Sequence, residues 1–287
     1  MRDLLEDLRN VADPAERARQ ASTLIDDLRA ARDEASLIRK TALETLRARG
    51  MTQTEIAQAT GMTRGRLSQV IAPKTAAWRP FLAPDAEHPV TVALAEKRET
   101  ERGQPAIAKT TMTAFGQIRE LAAAAGTSAS YEAVPPPGII DLNRPNLVAL
   151  IGPRISALVA QVITSDPAVR WERDGLGNWY VIDVKTGTEY HSDYDGGWST
   201  GQRGNRRCFA HMGRIRRPDG QGSFLYLGGT HAPGTAGAVE MLTRDIAALW
   251  EQAHRSLWSA ISQTVMSEDG TIVSVEFVTP VYIHGKR

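Results

Sequence analysis

The sequence predicts an α+β chain of two domains, an N-terminal all-α helix-turn-helix domain and a C-terminal α/β sheet domain. Three observations carry that prediction. A chain of 287 residues has room for about two domains. Apolar residues recur at helical spacing through the first quarter, then strands and helices alternate. Between the two patterns lies APKTAAWRPFLAPDAEH, with three prolines and little periodicity, which reads as a linker with Trp78 and Phe81 docking on a neighbour. The expected boundaries are 1–72 for the helical domain, 73–88 for the linker and 89–287 for the sheet domain.

Taken in order, Leu4, Leu5 and Leu8 form a short amphipathic turn, and Asp13-Pro14 supplies an N-cap followed by proline at the first helical position. Ala18, Ala21, Leu24, Ile25, Leu28 and Ala31 then keep helical spacing. A second helix carries Leu37, Ile38, Ala42, Leu43 and Leu46 and stops at Gly50, a natural left-handed C-cap. Thr52-Gln53-Thr54-Glu55 matches the capping box, in which Thr52 covers the Glu55 amide and the Glu55 carboxylate reaches back.

The stretch TQTEIAQATGMTRGRLSQVI, Thr52 to Ile71, has the parts of a helix-turn-helix. Ala57 is the small residue where two helices cross, Gly61 makes the turn, and Ile56, Met62, Leu67, Val70 and Ile71 lock the second helix down. Thr63 N-caps that helix. At about 100° per residue, its outward face holds Gly65, Arg66, Ser68 and Gln69, with Arg64 on the flank. Arginine and glutamine match guanine and adenine edges in the major groove, so these four positions are the expected base contacts. Arg49, Thr63, Arg64 and Lys74 are the expected phosphate contacts. The competing reading is a plain helical hairpin with an exposed polar face.

Charge supports the first reading. The chain totals only +1, which excludes a uniformly cationic coat for nucleic acid or membrane. Yet Arg39, Lys40, Arg47, Arg49, Arg64, Arg66, Lys74 and Arg79 face only Glu44 and Glu55 in their segment, a local charge of +6. A single cysteine, Cys208, excludes an internal disulfide and a multi-cysteine zinc site and fits a reducing compartment. No apolar run approaches the roughly 18 residues of a membrane helix, and the charged start is not a leader, so a cytoplasmic protein without membrane partner is expected.

The segment Ile38 to Ile71, with LETLRARGMTQTEIAQATGMTRGRLSQVI at its centre, resembles the promoter-reading region 4 of sigma-70-type factors, as in many actinobacterial regulators. The resemblance implies a recognition helix from Arg64 to Ile71 in the major groove and RNA polymerase as a further partner. Upstream there is only a short charged helical stretch, without room for a promoter-melting domain, so a sigma-like regulator is expected rather than a working sigma factor.

Beyond the linker, strands are expected at 89–94, 131–134, 147–151, 169–173, 179–184, 188–191, 208–215 and 223–227, with one or two more within 272–283. Helices are expected at 112–124, 155–163 and 233–250, and the glycine-rich segment 192–205 reads as a mobile loop. The segments PPPGIIDLNRPNLVALIGPRISALVAQVI, GRIRRPDGQGSFLYLGGTHAPGTAGAVEML and VTPVYIHG resemble the companion domain that follows this type of helix-turn-helix in actinobacterial sigma-like proteins. That likeness implies an architecture and no particular reaction.

Two strand-to-helix junctions carry chemical interest, Gly152-Pro153-Arg154-Ile155-Ser156 and the run from Gly228 to Gly237. Free amides at a helix start bind anions, and ligands sit at the carboxyl ends of strands. Gly152, Arg154, Ser156, Gly229, Thr230, His231, Gly234 and Thr235 are therefore the expected contacts of a small anionic, nucleotide-like ligand. Neither junction is a Rossmann fingerprint or a P-loop. The competing reading makes them tight turns whose glycines satisfy geometry alone. His191, His211, His231, His254 and His284 lack metal-ligand spacing, and Cys208 has no nucleophile signature, so no metal, cofactor or catalytic residue is expected. Arg203, Arg206, Arg207, Arg214, Arg216 and Arg217 form a second basic cluster, expected as exposed loop and edge-strand charge.

These features predict a sequence-specific DNA-binding transcription regulator, a homodimer on double-stranded DNA, with a C-terminal domain for ligand sensing or assembly rather than catalysis. The alternative is a nucleotide-processing enzyme delivered to DNA by the helix-turn-helix and acting at the glycine-rich junctions.

Overall fold

The computed structural model describes residues 8, 10–63, 67, 76–98, 105–195 and 204–285. The chain divides into two compact units, Met1–Lys74 and Thr75–Arg287.

In the first unit, α1 (Pro14–Ala48) is one helix of 35 residues where apolar spacing suggested two. The spacing lapses between Ala31 and Leu37, but nothing there is glycine or proline, so nothing breaks the hydrogen-bond ladder. Leu4 and Leu5 lie outside the described residues. The next helix, α2 (Gln53–Thr60), starts in a complete capping box: the Glu55 amide donates to Thr52 Oγ1 at 3.3 Å and the Thr52 amide donates to Glu55 Oε2 at 2.7 Å. It ends at Gly61, whose φ of 65° is left-handed and suits a residue without Cβ. Leu67 is again helical, its amide donating to the Thr63 carbonyl at 2.8 Å. Leu43, Ile56, Ala57 and Leu67 are buried together, with Leu46, Met51 and Met62 packed against them.

The expected fold class needs correction. The protein is a mixed α/β chain dominated by one eight-stranded mixed sheet, with six helices among the described residues, and no all-α N-terminal domain is evident. The physical reason is the burial in α1, which leaves Ile25, Leu28 and Ile38 exposed. Only four side chains of the unit's described residues form a buried cluster, too few for the core of an independent domain.

The second unit begins inside the stretch read as a linker. The short helix α3 (Arg79–Leu82) carries Phe81 and Leu82 into the core, where Phe81 stacks on Trp258 with ring centroids 5.6 Å apart. Residues 76–88 are thus fastened to the unit, and the side chain of Asn146 holds the backbone of Asp85 and His88. Trp78 and Phe81 carry too much apolar surface to be left on a spacer.

The main sheet contains β1 (Val90–Ala95), β4 (Ala129–Val134), β5 (Leu147–Leu150), β9 (Arg206–Arg216), β10 (Ser223–Gly229), β11 (Leu257–Met266), β12 (Ile272–Phe277) and β13 (Tyr282–His284). A small hairpin pairs β2 (Lys97–Arg98) with β3 (Pro105–Ala106), and β6 (Val169–Arg173), β7 (Trp179–Asp183) and β8 (Thr188–Tyr190) form a second, three-stranded sheet. In the main sheet the order is β12-β11-β9-β10-β5-β1-β4, with β13 added to β11. The strands β4, β1, β5 and β10 run parallel, whereas β9, β11 and β12 are antiparallel to their neighbours.

Helices α4 (Lys109–Ala124) and α6 (Ala232–Ala253) cover one face, burying Val92, Leu94, Val148, Leu225, Ile118 and Leu242. The alternate strand residues Ala93, Leu147, Ala149 and Tyr226 point to the other face, under α5 (Ala157–Ile163) and Ile140 and Leu142. Close approach of α6 requires glycine at 234, because a Cβ there would lie 2.6 Å from the Phe209 carbonyl oxygen.

Candidate functional site

The order of the parallel strands locates the site. From β1 the chain crosses through α4 to β4 on one side of β1, then returns to place β5 on the other side. Connections therefore leave β1 and β5 in opposite directions, and a crevice opens at their carboxyl ends. A cleft of about 60 Å³ lies there, lined from four directions by Lys97, Thr111, Arg154 and His231 among others.

Lys97 follows β1 directly, and Thr111 sits in the first turn of α4. Arg154 follows β5, and His231 stands between β10 and α6. No side chain caps the start of α4, where the residue before the helix is Ala108, so its first amides have no side-chain acceptor. Thr111 is only 6% exposed and lines the cleft, yet its hydroxyl bonds no described residue. Arg154 and Lys97 likewise make no ion pair with a described residue.

His231 is held by Asp195, Oδ1 to Nε2 at 2.7 Å, with side chains 13% and 20% exposed for Asp195 and His231 respectively. An ionised carboxylate only accepts, so Nε2 carries the proton and Nδ1 is the lone-pair nitrogen of the neutral ring. Burial holds the imidazole below its ordinary value against the raising pull of Asp195, and the positive charges of Arg154 and Lys97 push the same way. The ring is therefore neutral near pH 7 and ready to take a proton if an anion arrives.

Of the expected ligand contacts, Gly152, Arg154, Gly229, Thr230, His231 and Thr235 line this cleft together. Ser156 and Gly234 do not. Ser156 is fully buried and caps α5, its hydroxyl donating to the Gly138 carbonyl at 2.6 Å and accepting from the Val159 amide at 3.2 Å. Gly234 packs α6 on β9, and its amide bonds the Cys208 sulfur. The amide of Gly229 donates to Thr235 Oγ1 at 3.0 Å. Neither α4 nor α6 has a side-chain cap, but Pro233 lacks an amide hydrogen and the Gly234 amide is used by Cys208, which leaves α4 with more open amides at its start. Sequence reasoning missed Lys97, Thr111 and Asp195. The hydroxyl pair Thr110-Thr111 just after an uncapped Ala108 was the available signal, and Asp195 had none beyond proximity to a glycine-rich loop.

The remaining candidates resolve as follows. Gly65, Arg66, Ser68, Gln69, Arg64 and Lys74 lie outside the described residues, as does Arg203. Arg49 and Thr63 are exposed in the first unit. The second basic cluster is not an exposed set: Arg214 is buried and donates to the Phe81 carbonyl, Arg206 is buried against the Tyr194 ring, and Arg207 and Arg217 pair with Asp193 and Asp219. Strand β9 turned out central rather than an edge, which is why its arginines had to find partners. Cys208 is buried, and burial pushes its thiol up, so it is not a poised nucleophile. No group of three or more metal-ligating side chains occurs among the described residues. No helix among them is long and apolar enough to cross a membrane.

Compared with protein-family models, with curated proteins and with solved structures, the chain finds no match.

Proposed function

We propose that the protein is a DNA-binding regulator whose N-terminal unit reads double-stranded DNA through the helix-turn-helix segment 52–71 and whose second unit senses a small ligand that alters DNA affinity. One observation carries the reading. Leu67, one turn into the helix after Gly61, is buried on Ile56 and Leu43, the three-way contact by which a recognition helix is held against its supports. The capping box, the left-handed Gly61 and the local charge of +6 agree with it. Arg66 and Gln69 then contact base edges beside Gly65 and Ser68, while Arg49, Thr63, Arg64 and Lys74 contact phosphates. A homodimer pairs two half-sites, and the sigma-like resemblance adds RNA polymerase as a partner.

Selection of fragments from genomic DNA by the purified full-length protein tests the proposal. Arg66→Ala is expected to relax sequence preference, and Lys74→Ala to weaken all DNA alike and lower the salt slope by about 1. Wild-type binding by both variants to every fragment refutes the DNA reading.

A second reading, an enzyme that processes nucleotides, is favoured by the Asp195–His231 pair beside two cations, the arrangement of a general base next to an anionic substrate. Product formation from a nucleotide by the purified protein would replace the sensor by that enzyme.

A further inference from the structure

We infer that the cleft at the carboxyl ends of β1 and β5 is a binding site for one phosphate-type oxyanion. The inference rests on the ligand arm of the reading above and names its chemistry. Size comes first. A cleft of about 60 Å³ holds about four to six waters, the room of a single tetrahedral oxyanion and too little for a whole nucleotide. Larger grooves exist, one of about 420 Å³ beside Arg216 and Arg217, but there Arg217 is already neutralised by Asp219.

Charge is the second argument. Lys97 and Arg154 bring two positive charges to the cleft with no ion-pair partner among the described residues, and the Asp195 carboxylate is committed to His231. Both charges act on the His231 ring at the cleft, so an anion there meets two cations that attract it. Arginine adds a planar fork suited to two oxygens of a phosphate.

The third argument is independent of charge. Thr111 is 94% buried and lines the cleft, and its hydroxyl makes no hydrogen bond to a described residue. It stands in the first turn of α4, whose start has no capping side chain. A hydroxyl, the open amides of a 16-residue helix and two cations converging on one small cleft make a complementary set for an oxyanion.

Calorimetric titration of the full-length protein with inorganic phosphate, at ionic strength held constant with chloride, tests the inference. One saturable site per chain is expected, together with a rise in Tm. Arg154→Ala and Lys97→Ala should each weaken binding at least tenfold, and the near-isosteric Thr111→Val three- to tenfold, all in variants whose circular dichroism matches wild type. Non-saturable heats, or wild-type affinity in both Arg154→Ala and Thr111→Val, overturn the site. Parallel titrations with pyrophosphate and a nucleoside monophosphate identify the source. Tighter binding of the ester assigns a phosphorylated metabolite, and tighter or equal binding of the inorganic ion assigns free phosphate. DNA affinity measured on the same preparation keeps the failures apart. Loss of DNA binding with phosphate binding intact refutes the regulator and leaves the anion site standing.

Discussion

Of the five histidines of the second unit that lie within ion-pair distance of a carboxylate, three belong to pairs whose differences separate architecture from function. Asp166 and His211 meet at 3.1 Å with both side chains fully buried. Every strong hydrogen-bonding atom there is used: Asp166 accepts from the Ala168 and Val169 amides and from Ser259 Oγ, and His211 Nδ1 accepts from the Trp171 indole. This pair ties the small sheet to β9 and β11 and has nothing left to offer a ligand. Asp195 and His231 meet at 2.7 Å, but the pair borders a cleft with two cations that have no ion-pair partner among the described residues. Glu189 and His191 meet at 3.1 Å on the surface, 52% and 46% exposed. The same chemistry serves as a clamp, a site component and a solvated contact, and its surroundings decide which.

Substitution should rank the pairs in that order. Asp166→Ala leaves two buried amides, a serine hydroxyl and an imidazole without their acceptor and is expected to cost about 3–5 kcal/mol, read as a collapse in chemical-denaturation midpoint. Burial works to raise the Asp166 carboxyl, but the bonds from His211 and the two amides prevail and hold it well below its ordinary value. Because the folded value is depressed, this stabilisation is present above the unfolded carboxyl value of 3.8 and is lost as pH falls below it. Wild-type stability should therefore drop steeply below about pH 4, and Asp166→Ala should show a flatter acid limb. An unchanged midpoint in Asp166→Ala would dissolve the distinction between clamp and site.

His231 should respond to ligand rather than to denaturant. In the unliganded protein its value is lowered, so the unfolded chain takes a proton first and stability falls as pH drops below 6.5. A bound anion reverses that preference. Sulfate keeps its charge over this range, and it should bind more tightly at pH 5.5 than at pH 7.5, with the slope lost in His231→Ala. The smallest effect is expected at the surface, where Glu189→Gln should leave Tm within experimental error.

Much of this was legible in the sequence, unevenly. The capping box, the Gly61 turn and the strands around 169–173, 179–183 and 223–229 follow from local chemistry and were readable residue by residue. Strand β11 was not read at all. Its helix-facing residues Trp258, Ala260, Ser262 and Thr264 mix apolar and polar, and all four are buried by contacts made across the chain, Trp258 under Phe81 and Thr264 against Gly237 of α6. The cleft was half legible. Glycines drew attention to β10–α6, where they turn out to serve packing, while the open helix start after β1 carries no glycine and becomes visible only once β4 and β5 lie on either side of β1. The arginines of β9 were misread because a sheet's centre and its edge cannot be told apart from one strand's composition.

The proposed regulator joins the two units, in that an oxyanion bound in the second would change the affinity of the first for DNA. Fluorescence anisotropy of the full-length protein on a genomically selected duplex, with and without saturating phosphate at fixed ionic strength, tests it directly. The account predicts midpoints at least about fivefold apart, the lower range of ordinary allosteric coupling, with the difference lost in Arg154→Ala. Identical midpoints, with phosphate binding confirmed on the same sample, would contradict it.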